Sequence, residues 1–259
     1  MNYFLAVLAG AIQGLSEFLP VSSTGHLIIF QKLFRLPQDS FGLGFDASLH
    51  LGTLFAILIF FWKDYIKALK TKRLAIYLIV GTIPAAAAGL LLESAVETSF
   101  RQLWLVGTAL IIFSFVIMLS EKIGKRIKNT AGINVKDSLI IGFFQSVALI
   151  PGVSRSGATI SAGLFLNYKR EDAARFAFML SGPIIAAAGG KKFLDTLTAN
   201  NASSSEISYS LIGIASSAFF GYLTIKYFLK YLSTNTLKPF VIYRLVLGVI
   251  LIILSIFVF

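Results

Sequence analysis

Six stretches of this chain, residues 47–62, 74–92, 103–119, 173–190, 209–232 and 240–259, are apolar almost without interruption. Each is close to the roughly 17–25 residues that cross a bilayer as an α-helix. A backbone in hydrocarbon must satisfy its own N–H and C=O groups, so runs of this kind leave little choice of fold, and an all-α integral membrane protein is predicted. Composition agrees, with 56% hydrophobic and 14% charged residues over 259 positions, too apolar for a domain with an ordinary charged surface. That length alone would allow one or two soluble domains; the apolar runs make one membrane domain, residues 1–259, the better count. The chain has no cysteine and two histidines, which excludes disulfides, thiolate metal sites and a cysteine nucleophile and leaves almost nothing for zinc. Any metal would be oxygen-bound.

Two further apolar regions are broken, the first by Pro20 with Val21-Ser22-Ser23, the second by Pro151-Gly152 with Ser154-Arg155-Ser156-Gly157. Each half-segment is too short to span, and a break at membrane depth survives only where protein or a polar cavity satisfies the freed backbone. Re-entrant helix pairs fit that requirement. The broken regions also resemble one another: Gly10-Ala11-Ile12-Gln13 precedes Pro20-Val21-Ser22-Ser23-Thr24-Gly25, and Gly142-Phe143-Phe144-Gln145 precedes Pro151-Gly152-Val153-Ser154-Arg155-Ser156-Gly157. Gln13 to Gly25 and Gln145 to Gly157 both span 12 positions, although the prolines fall one position apart. Three spanning helices follow each break, so the chain reads as two halves, about 1–120 and 136–259, each a re-entrant pair plus three spans. Three crossings is an odd number, so the second half must enter from the opposite side. The expectation is an inverted-topology repeat whose breaks meet near the midplane.

The net charge of +11 would raise nucleic-acid binding in a soluble protein, but here the cations cluster between apolar runs and read as orientation signals. Lys63, Lys67, Lys70, Lys72 and Arg73 follow the first span, and Lys122, Lys125, Arg126, Lys128 and Lys136 follow the third. By the excess of Lys and Arg in short cytoplasmic loops these are cytoplasmic, with Lys169, Arg170, Lys226, Lys230 and Lys238. Residues 93–101, 196–208 and both termini are then expected outside, with Lys191 and Lys192 as outer exceptions; Asn201-Ala202-Ser203 forms a sequon without meaning in a bacterium. The first 19 residues lack a basic leader and carry Gln13 and Glu17 in the apolar stretch, so they are expected to belong to the fold rather than to a cleaved signal.

The first break gathers Gln13, Ser16, Glu17, Ser22, Ser23, Thr24 and His26, a polar density that hydrocarbon penalises unless partners or water are present. Gln13 and Glu17 lie four apart and share a helix face. Ser22 or Ser23 can cap the next half-helix, whose N-terminal end favours an anion, and His26 lies in its first turn. Set against this, one serine is expected to be only a cap, Glu17 could be a structural carboxylate, and His26 and His50 could be packing residues. The second break supplies a cation at a half-helix start. Arg155 can fork onto phosphate, Gly152 and Gly157 allow close backbone approach, and Ser154, Ser156 and Thr159 add donors. A snorkelling Arg155 would need neither the Pro-Gly break nor these hydroxyls. Together the halves suit phosphoryl transfer on an amphiphile, which needs positioning and neutralisation of spreading negative charge.

These residues resemble a known family. Gln13-Gly14-Leu15-Ser16-Glu17-Phe18-Leu19-Pro20-Val21-Ser22-Ser23-Thr24-Gly25-His26 is similar to the first signature of the bacterial undecaprenyl-diphosphate phosphatases of the BacA type, and Pro151-Gly152-Val153-Ser154-Arg155-Ser156-Gly157-Ala158-Thr159 to the second. The resemblance implies hydrolysis of a C55 isoprenyl diphosphate lipid to the monophosphate, recycling of the carrier for cell-wall synthesis, and bacitracin resistance. It places the protein in a bacterial inner membrane with the site opening to the extracytoplasmic side. It implies that Glu17 is an essential carboxylate, that Ser23 and His26 join the catalytic group, and that Arg155 binds diphosphate with Ser154 and Thr159 in support. It also implies Mg²⁺ or Ca²⁺, with Glu17 and Gln13 as the metal-ligating positions; the amide at Gln13, where the family accepts Glu or Gln, makes the weaker ligand. Ser23 or a water attacks, with Glu17 or His26 as base. The competing class is a transporter, because broken helices in inverted repeats also suit a lipid-carrier flippase. Partners are the lipid substrate and the bilayer, with no nucleic acid; the oligomeric state stays open, a homodimer included.

Overall fold

The computed structural model describes residues 2–97, 99–198 and 204–257, so Asn201-Ala202-Ser203 and the last two positions of the 240–259 stretch lie outside the described residues. The helices are α1 (Asn2–Phe18), α2 (Ser23–Leu33), α3 (Gln38–Phe41), α4 (Leu43–Phe60), α5 (Trp62–Thr71), α6 (Arg73–Glu97), α7 (Leu103–Ile123), α8 (Val135–Val147), α9 (Arg155–Phe165), α10 (Arg170–Thr198), α11 (Ser204–Leu232) and α12 (Lys238–Phe257). Among the described residues six are long and apolar enough to cross a membrane, namely α4, α6, α7, α10, α11 and α12. They are the six predicted runs, mostly with extended ends. α11 starts at Ser204 rather than at 209 because Ser and Glu continue the backbone hydrogen bonding beyond the point where hydropathy falls. α10 is the most enclosed span, whereas α6 and α12 turn large side chains such as Ile79, Leu90, Ile242 and Ile253 outward, an apolar surface of the kind a bilayer covers.

The segment after α4 was expected to be a cationic loop. It is the helix α5, with Trp62, Ile66 and Leu69 exposed beside Lys63, Lys67 and Lys70, the amphipathic pattern of a helix lying in the membrane interface. Tyr65 Oη donates to the Met179 carbonyl at 2.7 Å and Arg175 pairs with Asp64 at 2.6 Å, which fastens α5 to α10.

Helix pairing fits the duplicated plan. α4 packs on α10 and α7 on α12, while α1 packs on α11 and α8 on α6. Exchange of the two halves maps each of these pairs onto itself or onto another of them, as a two-fold relation requires. The close contacts are made at equivalent glycines: a Cβ on Gly10 would stand 2.7 Å from Ser216 Cβ of α11, and one on Gly142 would stand 2.8 Å from the Gly81 carbonyl carbon of α6. Small residues let these backbones approach where lipid offers no hydrophobic drive for association.

Charged turns collect at two ends. Glu121 at the end of α7 pairs with Arg170 of α10 at 2.6 Å and accepts from the Leu237 amide ahead of α12 at 3.0 Å; Lys128 lies 3.5 Å from Asp137 of α8. These turns carry the cations read as cytoplasmic. At the other end, Arg101 from the α6–α7 turn reaches Asp46 in the first turn of α4 at 2.9 Å.

Candidate active site

Both broken regions end in the same local structure. Ser22 and Ser154 take left-handed backbone, with φ of 71° and 73°, and cap α2 and α9 by accepting from the Gly25 and Gly157 amides. Ser22 is thus the capping serine that the sequence left between two candidates. The breaks then lock together. The Gly152 amide donates to Ser22 Oγ at 3.1 Å and Ser156 Oγ donates to the Leu19 carbonyl at 2.9 Å. Gly152 has φ +100° and packs against the Val106 carbonyl and Ala109, so no larger residue fits there.

A wholly buried arginine of α12 completes this joint. Arg244 donates to the Pro20 and Gly152 carbonyls at 3.0 Å each, to the Leu110 carbonyl at 3.2 Å and from Nε to Ser114 Oγ at 3.2 Å. Pro20 and Gly152 each stand two residues before their capping serine, so one guanidinium grips the equivalent carbonyl of both breaks. Sequence reasoning missed Arg244, although a lone arginine inside the 240–259 run was a visible signal.

The locked breaks bring Glu17, at the end of α1, against Arg155, the first residue of α9, in an ion pair through Glu17 Oε1. Glu17 Oε2 accepts from Ser23 Oγ at 2.5 Å and from Gln13 Nε2 at 2.9 Å. His50 of α4 sets Nε2 3.8 Å from the same oxygen. The His50 Nδ1 lies 2.8 Å from the Asp46 carbonyl, an acceptor only, so Nδ1 carries the hydrogen and Nε2 faces the carboxylate. Glu17, Ser23 and Arg155 line a chamber of about 290 Å³ together with Ser22, Ser154 and His50. Apolar side chains of α10 such as Ile184 and Ile185 form part of its wall, and Asp46 and Arg101 lie on it too. Such a volume suits a phosphate head group and not a long alkyl tail.

Several expected phosphate contacts are placed elsewhere. The Thr159 hydroxyl bonds back to the Arg155 carbonyl at 2.7 Å, and Ser156 Oγ is taken by the Leu19 carbonyl. With Glu17 and Arg155 these two residues flank a crevice of about 10 Å³, room for a water at most. Gly152 and Gly157 serve the joint and the α9 cap rather than the chamber wall. His26 also departs from expectation. It turns out of the chamber, with Nδ1 on the Ser22 carbonyl at 2.7 Å and Nε2 on Tyr243 Oη at 2.6 Å, its ring stacked on Tyr243. His50, read as equally able to be packing, is the histidine that faces Glu17.

The pair Glu17 and Gln13 does not fit a divalent cation. The carboxylate already accepts from three donors, one of them a guanidinium. Gln13 turns Nε2 toward it, which leaves Oε1 directed elsewhere, buried and without a partner. Among the described residues no group of three or more His, Asp or Glu could hold a metal.

Comparison with known proteins places the chain in a family. The chain is 43% identical to the undecaprenyl-diphosphatase of Pelotomaculum thermopropionicum over 98% of its own length and 97% of that protein's. It is also 43% identical to the undecaprenyl-diphosphatase of Mycolicibacterium smegmatis, over 96% and 95% of the two chains. To that of Geotalea daltonii it is 40% identical over 96% of each. Residues 6–250 match the family model described as bacitracin resistance protein BacA. With six apolar helices and this match over most of its length, the chain is a multi-pass membrane protein of the BacA family.

Proposed function

We propose that the protein hydrolyses undecaprenyl diphosphate to the monophosphate and inorganic phosphate in a bacterial plasma membrane, renewing the lipid carrier for cell-wall synthesis. The observation that carries this reading is the Glu17 carboxylate, with the Ser23 hydroxyl on one oxygen and Arg155 from the opposite break on the other. The relatives' shared name, undecaprenyl-diphosphatase, supplies the substrate. The head group enters the chamber and the isoprenyl tail stays in the bilayer.

Arg155 binds the terminal phosphate through N–H groups not engaged by Glu17, with Ser154 and the capped start of α9 beside it. As the phosphate takes up the guanidinium's charge, Glu17 loses part of its counter-charge and becomes a stronger base for the Ser23 proton. Ser23 Oγ attacks the terminal phosphorus, the bond to the bridging oxygen breaks, and undecaprenyl phosphate departs. Glu17 passes that first proton to the departing undecaprenyl phosphate; water then attacks the phosphoserine, Glu17 takes a proton from that water and hands it to the Ser23 oxygen as the Ser23–phosphorus bond breaks, which restores both side chains. Mg²⁺ or Ca²⁺ would reach the chamber as counter-ion of the diphosphate.

The chamber wall includes Asp46 and Arg101, at the end opposite the cation-rich turns, which supports an opening toward the extracytoplasmic side. The test is phosphate release by detergent-solubilised protein from a C15 or C55 diphosphate. A lipid flippase would release none, because no membrane remains to be crossed. Arg155→Ala that folds and releases phosphate at the wild-type rate would overturn the phosphate-clamp role.

A further inference from the structure

One side chain on the chamber wall is unused by the chemistry above. Gln145 of α8 is 2% exposed and lines the chamber with Ser154 and Arg155, and neither its Nε2 nor its Oε1 has a hydrogen-bond partner. A wholly unpaired amide is costly inside a protein, and buried polar groups left so call for a reason.

The repeat supplies the contrast. Gln145 stands in the second half where Gln13 stands in the first, and Gln13 Nε2 donates to Glu17 four residues on. Four residues after Gln145 stands Leu149, which also lines the chamber. The second half therefore keeps the amide donor and lacks its carboxylate acceptor. An anion in the chamber would provide one.

We propose that Gln145 is a substrate-binding residue whose Nε2 donates to a non-bridging oxygen of the diphosphate, on the wall that also carries Arg155. The amide is neutral, so it adds a directional hydrogen bond without competing with Glu17 for the guanidinium. This assignment rests on the diphosphatase reading for its ligand. No protein group competes for Nε2, so a bond to a diphosphate oxygen is made without breaking another one inside the protein.

The test uses Gln145→Leu and Gln145→Met, which keep the volume and remove the amide. Each purified variant is compared with wild type for melting midpoint, for KM and kcat with a C15 diphosphate, and for the rise in melting midpoint given by inorganic pyrophosphate. A merely structural glutamine would lower the midpoint on removal; the unpaired amide predicts an unchanged or higher one. The expected result is KM raised about tenfold or more, the scale of one hydrogen bond to a charged group, and loss of most of the pyrophosphate shift. Unchanged KM and an unchanged shift would overturn the assignment and leave the amide holding only water. So would a lowered midpoint with KM unaltered. Should either apolar variant fail to fold, Gln145→Glu keeps the shape and adds a like charge, and it must raise KM further. The pyrophosphate shift does not depend on turnover, so wild-type protein that binds pyrophosphate without releasing phosphate would sink the diphosphatase reading alone.

Discussion

Arg244→Met tests whether one guanidinium holds the two breaks together. The substitution removes donors from the Pro20 and Gly152 carbonyls, which have no other side-chain donor among the described residues. Leu110 keeps the Ser114 hydroxyl at 2.7 Å and loses less. Two stranded carbonyls cost about 1–3 kcal/mol each, or roughly 2–6 kcal/mol together. Against this stands the desolvation of a guanidinium with no carboxylate beside it, several kcal/mol that the variant no longer bears. The two largely offset, and a net loss of about 2 kcal/mol corresponds to a fall in melting midpoint on the order of 5 °C. Activity should suffer more than stability. Arg244 does not line the chamber, but the caps that aim Ser23 and Arg155 follow directly on the carbonyls it grips, and a misplacement of about 1 Å at a reacting group costs on the order of 100-fold. The assay is kcat and KM in detergent beside the melting midpoint, with Arg244→Lys as a partial rescue and Ser22→Ala as the second tether. The pair Arg244→Met and Ser22→Ala should be non-additive, because both restrain Gly152. Wild-type kcat in a folded Arg244→Met protein would refute the positioning role.

Glu17→Gln should reduce phosphate release at least as much as Ser23→Ala, each by about 100-fold or more, since the base also fixes the nucleophile; the reverse order would move the base elsewhere. His26→Phe, which keeps the ring stacked on Tyr243, should lower kcat by less than about tenfold, and a folded variant with no activity would show that the imidazole reaches the reacting atoms. EDTA should leave the melting midpoint of the protein unchanged even where it slows turnover, because an ion held by the protein would stabilise the fold and one carried by substrate would not; a midpoint that falls with EDTA would show that the protein itself holds a cation. Burial and the Asp137 carboxylate, 2.5 Å away, push the Tyr168 phenol well above its ordinary range. Folding therefore favours the neutral phenol, and its contribution is full below about pH 10 and lost as pH rises toward the raised folded value. Alkaline destabilisation should be weaker in Tyr168→Phe, and identical pH profiles would contradict it.

The spans were legible because a run of apolar residues has one solution in a bilayer, and the breaks because Pro20 and Pro151-Gly152 interrupt such runs visibly. α5 was not, because the cations of 63–73 dominate a hydropathy reading while Trp62, Ile66 and Leu69 supply a helical stripe only at a spacing of three and four. Glu17 and Arg155 could be paired from sequence since each is a lone charge at a break. The side-chain directions could not. His26 and His50 differ by which way each helix faces, which needs the α2–α12 and α1–α4 packing. Ser156 and Thr159 have the composition of phosphate ligands, but their hydroxyls are nearer to backbone carbonyls than to the chamber. Gln145 was visible in the repeat; that its partner position had become Leu149 needed the two halves aligned beside the cavity.

The two breaks build the site from matching positions. Ser22 and Ser154 occupy equivalent positions, and the residues that follow them, Ser23 and Arg155, do too. In one half the first residue of the half-helix is a hydroxyl; in the other it is a guanidinium. A two-fold relation between the breaks would place these two residues face to face whatever their side chains, and both bind Glu17, one on each oxygen. Two helix N-termini, those of α2 and α9, lie on the wall of one chamber, each worth about half a positive charge. With Arg155 they more than balance Glu17, so the field of the chamber favours an anion. The acid stands in only one half: four residues after Gln13 is Glu17, and four residues after Gln145 is Leu149. A second carboxylate at that position would cancel the positive field of Arg155 and the two helix starts, so a Leu149→Glu variant should raise KM for a diphosphate substrate, and an unchanged KM would refute this account of the field.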